Sequence, residues 1–214
     1  MVLDIITAAL IVIPMAIGMA KGVLYVAVRA LGWVGALAAS FFLNPHVSKW
    51  MEKGPVGKMV YGSLEEKFGG PVNSVETATE GLPQIIGGAV NETASQTADM
   101  LVNTIGGIII SIMSFIAMAL MIRIIMFFII KATSRRGDKK GIPVLTRMNK
   151  LAGLIVGGGE GLLLAFVFLA ALIPVMNISS PETAEAIADG LKYSHLAGPL
   201  YQGNLLTLMA SGIL

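Results

Sequence analysis

Cysteine is absent from the 214 residues. Its absence excludes disulfides, thiolate nucleophiles and cysteine-ligated metals. Histidine is scarce: only His46 and His195 occur, and neither has a carboxylate or second histidine at metal-ligand spacing. Charge is scarce as well. Charged residues make up 13% of the chain, against about 25% in a soluble domain, while 55% are hydrophobic. A bilayer is the simplest host for that much apolar surface. There is no GxSxG elbow, no HExxH pair and no pair of intramembrane aspartates. The chain therefore reads as a non-enzyme that needs no cofactor or metal. The one basic cluster is short and lacks interleaved aromatics, which argues against nucleic acid as a partner.

Long apolar runs fill the space those absences leave. Ile105 to Ile130 carries a single charge, Arg123, and Leu151 to Met176 carries a single charge, Glu160. At about 1.5 Å per residue, each run crosses a hydrocarbon core of roughly 30 Å with some tilt. Lipid as solvent admits only helices or closed barrels, and runs of this length choose helices. Two further runs, Ile5 to Ala20 and Gly22 to Leu43, lie near the start. Joined as one helix they would reach about 58 Å, so a break is required. Lys21-Gly22 is its natural place: glycine permits a reversal and lysine marks a watery boundary. The first run lacks the basic flank and cleavage site of a signal peptide and is read as an uncleaved membrane helix. Pro14 falls inside it, where neighbouring helices tolerate a kink. The predicted fold is all-α, a multi-pass membrane bundle of four transmembrane helices with short interfacial helices.

The chain divides accordingly. Residues 1–43 form a transmembrane hairpin and residues 44–104 an extracytoplasmic loop with short helices. Residues 105–176 form a second transmembrane pair, joined by a basic loop over 131–150, and residues 177–214 form a tail. Asn44-Pro45 looks like a helix cap followed by proline at the first helical position. Trp50, between Lys49 and Lys53, suits a short helix lying among headgroups. Val56 to Phe68 reads as another short helix, and Asn73 to Gly81 as loop. From about Asn91, apolar residues recur at helical spacing into the third span. Ser179-Ser180-Pro181-Glu182 reads as a helix start. Leu196 to Leu214 is interrupted by Gly198-Pro199, Gly203 and Gly212 and reads as a surface-lying or packed segment rather than a fifth span.

Charge sets the expected orientation. Lys131 to Lys150 holds seven Lys or Arg and one Asp, whereas Asn44 to Asn103 holds four Lys and seven Asp or Glu. The positive-inside rule puts the basic loop and the Lys21 turn in the cytoplasm and both termini outside.

The stretch Asp4-(x16)-Lys21-Gly22-(x10)-Trp33 resembles the opening of the colicin V production protein (CvpA) family. Asn149-Lys150-(x2)-Gly153-(x3)-Gly157-(x3)-Gly161 resembles that family's later signature. The family usually carries a basic residue before the last of these glycines, where this chain has Glu160. The outer loop is also longer than in compact members. The resemblance implies a multi-pass protein of the bacterial inner membrane, associated with bacteriocin production and with envelope and biofilm phenotypes. It implies no reaction.

Glu160 is the sharpest candidate. It lies about 13 Å past Leu151, too deep for a glutamate to reach the interface, so it must be protonated, paired or facing water. Arg29 and Arg123 lie about 10 Å deep from the same side. Depth therefore permits a pair of Glu160 with either arginine. Two readings stand: a polar path or proton site through Glu160, and an ion pair that fixes helix register. Arg29, Arg123 and Lys21 can also snorkel to headgroups. Asp4 is expected to cap the first helix. Gly153, Gly157 and Gly161, with Gly18 and Gly22, offer surfaces for close helix approach. The basic loop is a topology determinant, with anionic lipid or a cytoplasmic partner as the other reading. Expected partners are the lipid bilayer and either a second copy or an envelope protein. Three functions follow: an envelope-related role in bacteriocin production, a small transporter or channel through Glu160, Arg29 and Arg123, and a scaffold docking an envelope partner through residues 44–104.

Overall fold

The computed structural model describes residues 2–68, 98–134 and 147–207. Among these there is no strand. The elements in order are α1 (Val2–Lys21), α2 (Val23–Lys53), α3 (Pro55–Phe68), α4 (Ala98–Ser134), α5 (Arg147–Ile178), α6 (Pro181–Lys192) and α7 (Ala197–Gln202). Four of them, α1, α2, α4 and α5, are long and apolar enough to cross a membrane. The all-α multi-span fold read from hydropathy is therefore the one observed. The expected loop over 73–81, the helical start near Asn91, the centre of the basic loop and the last seven residues lie outside the described residues.

Gly22 alone separates α1 from α2, at φ 84° and ψ 169°. This left-handed region favours glycine. The reversal leaves the first N–H groups of α2 without intrahelical partners. Asn149, two residues into α5, supplies one: its Oδ1 accepts from the Val23 N–H at 3.0 Å. A Cβ on Gly22 would lie 2.6 Å from the Asn149 amide nitrogen, so the cap needs glycine there twice over.

The two helices do not pack on one another as the expected hairpin. α1 packs chiefly on α5, and α2 packs on α4 and α5. The seam between α1 and α5 explains the choice. Cβ atoms added at Gly153 and Gly157 would lie 2.2 Å from the Gly18 carbonyl oxygen and 2.4 Å from that of Pro14. One at Gly161 would lie 2.7 Å from Ile11 backbone atoms, and one at Gly18 would lie 2.0 Å from the Gly153 carbonyl oxygen. The backbones are in direct contact. In lipid, where no hydrophobic force pushes helices together, such close van der Waals approach is a main source of association.

The predicted break at Asn44-Pro45 is absent. α2 runs through it to Lys53, so Lys49, Trp50 and Lys53 extend a long helix rather than forming a separate one among the headgroups. The reason is tertiary. Asn44 is buried, its Nδ2 donates to Ser111 Oγ of α4 at 2.8 Å, and its Oδ1 accepts from Ser114 Oγ. It ties α2 to α4 instead of capping. Pro45 removes one backbone donor, a loss that neighbouring groups absorb in membrane helices. Gly54 then ends α2, and α3 folds against α4, burying Val60 and Leu64 with Val102, Ile105 and Ile109. Tyr61 of α3 donates to Glu52 Oε1 at 3.0 Å. Burial, then that carboxylate, pushes its hydroxyl up to about 12.

The tail is packed. Ser180 precedes Pro181 at the start of α6, as the sequence predicts. Tyr201 is 2% exposed, and Asn204 Nδ2 donates to the Phe166 carbonyl of α5 at 2.8 Å. Asp4 lies in the first turn of α1, and its side chain also reaches the tail. Its Oδ1 accepts from Ser194 Oγ and from the N–H groups of Leu196, at 2.9 Å, and Ala197, at 3.2 Å. With Ser194 Oγ, which accepts from the N–H groups of Ala197 at 2.7 Å and Gly198 at 3.1 Å, it caps α7. The tail is thus latched to the start of α1.

Two glycines of α5 separate packing from propensity. A Cβ on Gly159 meets nothing within 4 Å. Gly159→Ala is therefore expected to leave thermal stability in detergent unchanged or raise it by up to about 1 kcal/mol. Gly157→Ala drives a methyl into the Pro14 backbone and is expected to cost about 1–3 kcal/mol. Equal effects of the two would mean that the seam does not hold α1.

Candidate functional site

The site forms where α5 meets α2. At about 100° per residue Glu160 borders the glycine stripe that α1 occupies, on the edge turned towards α2. Arg29 sits nearly two turns into α2. Its Nε lies 2.6 Å from Glu160 Oε1 and 2.8 Å from Oε2. The Glu160 side chain is 2% exposed and that of Arg29 23%. Of the two partners that depth permits, Glu160 takes Arg29. A carboxylate at this depth is costly unless paired and hydrogen-bonded, and both oxygens are engaged.

Arg123 of α4 makes no ion pair among the described residues. Its guanidinium stands 5.3 Å from the centre of the Trp33 ring. A Cβ on Gly32 would lie 2.9 Å from its Nη1, so glycine makes room for it against α2. The charges of Glu160 and Arg29 both act on it. Below, Lys21 lies 4.4 Å over the Tyr25 ring and donates to its hydroxyl at 3.3 Å, and Arg29 lies 6.0 Å from the same ring. Lys21, at the end of α1, and Arg29 of α2 thus flank the Tyr25 ring, while Trp33, one turn beyond Arg29, takes Arg123 of α4.

Gly18, Gly22, Gly153, Gly157 and Gly161 lie on the α1–α5 seam and at the α1–α2 reversal, beside the ion pair rather than in it. Sequence reasoning missed Asn149 as the cap of α2, Asn44 as a tie to Ser111 and Ser114, and Trp33 as the seat of Arg123. Each carried a signal: a lone amide or small hydroxyl inside an apolar run, or a four-residue repeat of cations and aromatics. Among the described residues no three His, Asp or Glu side chains gather as metal ligands.

Several residues that carried the family resemblance make contacts across the bundle, and Gly22 and Asn149 join its two motifs directly. Gly22 meets Asn149, Gly18 meets Gly153 and Trp33 meets Arg123. A family model described as colicin V production protein matches residues 3–202. The chain belongs to the colicin V production protein family. No curated protein and no solved structure matches it. It is a membrane protein of that family, and Glu160, with its Arg29 partner, lies well inside the matched region.

A buried pair is most costly when one partner is removed. Glu160→Gln and Arg29→Gln are each expected to lower stability in detergent by about 3 kcal/mol, the low end of the range because Arg29 is partly exposed. The double variant is expected to recover most of that loss. Denaturant titration of all four proteins measures the coupling; additive losses would show that the two side chains act independently.

Proposed function

We propose that this protein is a non-enzymatic scaffold of the bacterial inner membrane, serving the production of a colicin V-type bacteriocin and maintenance of the envelope. Family membership supports the link to colicin V production. The observation that carries the scaffold reading is the Arg29–Glu160 pair: the one acidic group deep in a span is buried and held by both oxygens. Other polar groups in or beside the spans are likewise used to tie elements together. Asn44 joins α2 to α4, Asn149 joins α5 to α2, and Asp4 joins α1 to the tail. A conduit through Glu160, Arg29 and Arg123 would need this pair to part and water to enter. An envelope protein docking on residues 44–104 is the partner this reading implies.

The orientation belongs to the same proposal. Asp4, α3, α6 and α7 gather at one end of the bundle, and Gly22 with Asn149 at the other. The excess of Lys and Arg over 131–150 supports a reading with the Gly22 end in the cytoplasm and both termini outside.

Two measurements test this. The chain lacks cysteine, so single cysteines report cleanly. Ser179→Cys is expected to react with an impermeant maleimide on intact spheroplasts, and Ser134→Cys only after permeabilisation; the reverse pattern would invert the orientation. In proteoliposomes, wild type and Glu160→Gln are both expected to pass no ions under proton, sodium or chloride gradients. Flux in the wild type that Glu160→Gln abolishes would replace the scaffold with a conduit.

A further inference from the structure

The charges around Glu160 do not balance. Arg29 alone pairs with the one carboxylate, while Lys21 stands on the far side of the Tyr25 ring from it and Arg123 on the Trp33 ring one turn further along α2. Arg29 spends only its Nε on Glu160, and both Nη groups find no acceptor among the described residues. Arg123 lies against the Trp33 ring and the Gly32 backbone and makes no ion pair among the described residues. Cations within spans ordinarily pair with an anion or face water. A guanidinium fork left unfilled in such a place matches phosphate, which it binds through two parallel N–H groups.

The surroundings indicate how the phosphate arrives. Arg29 and Arg123 are each partly exposed and so reach the surface of the bundle. Tyr25, Val28, Leu31, Ile124 and Ile125 beside them are all about half exposed or more. Those side chains face the acyl region, and Lys21 marks the headgroup level at the end of α1. A ligand with a phosphate and acyl chains satisfies both surfaces at once.

We propose that Lys21, Arg29 and Arg123 form a binding site for the phosphate of an anionic phospholipid, its chains lying along α2 and α4. Glu160 orients Arg29 through Nε and leaves its Nη edge for the lipid, while Trp33 holds Arg123 in place from below. The assignment is independent of the scaffold reading, since a conduit could carry the same lipid.

Trp33 is a built-in reporter. The chain has two tryptophans; Trp33 is buried under Arg123, and Trp50 is 76% exposed, so Trp50→Phe removes the background. The full chain in neutral detergent is titrated with phosphatidylglycerol, phosphatidylcholine or inorganic phosphate, following Trp33 emission and Tm. Phosphatidylglycerol is expected to give a saturable change and to raise Tm, with no such change from phosphatidylcholine. Arg123→Gln and Lys21→Gln are each expected to weaken the phosphatidylglycerol response about fivefold, the worth of one basic residue at an anionic headgroup. Lys21 is exposed, so its variant decides the matter if Arg123→Gln fails to fold. Equal responses to the two lipids, or unchanged affinity in the folded variants, would overturn the site. Millimolar inorganic phosphate that saturates the Trp33 response and blocks the lipid would overturn the lipid as its source.

Discussion

The rotation of α5 about its own axis is the constraint on which the bundle depends. One face of this helix carries Gly153, Gly157 and Gly161, which let α1 touch it backbone to backbone. A neighbouring face carries Glu160, which must meet Arg29 of α2. Each demand alone leaves α5 some freedom to slide or turn. Together they leave little, because a carboxylate turned towards lipid is costly and a methyl turned into the seam collides. α2 and α1 are then placed on either side of α5, and the expected hairpin opens to admit it.

The polar residues at the two ends continue the same logic. At one end Asn149 caps α2, so the start of α5 and the reversal at Gly22 are held in one unit. At the other, Asp4 caps α7 and fastens the tail to the start of α1. Between them Asn44 joins α2 to α4 through two serines. Apolar packing against lipid cannot choose among helix registers, because hydrocarbon and leucine are nearly equivalent surroundings. A few hydrogen bonds and one ion pair make the choice, and they do so where water cannot compete.

The same economy isolates the group that is not spent in this way. Arg123 rests on Trp33 and makes no ion pair among the described residues. Both it and Arg29 are partly exposed, so the side of the bundle where α2 meets α4 carries positive charge.

Hydropathy by itself determined the number of spans, the break at Gly22 and the packing role of the glycines, because lipid accepts few backbone conformations and small residues are needed wherever helices touch. Residue spacing also brought Glu160 to the depth of two arginines. Tertiary structure alone decided which arginine pairs with it, that α1 turns to α5 instead of α2, that α2 runs on through Pro45, and that Asp4 caps the tail. Each of those outcomes depends on a partner more than 60 residues away in sequence. Local pattern specifies what a segment can become; a distant side chain filling an empty donor or acceptor decides which form is kept.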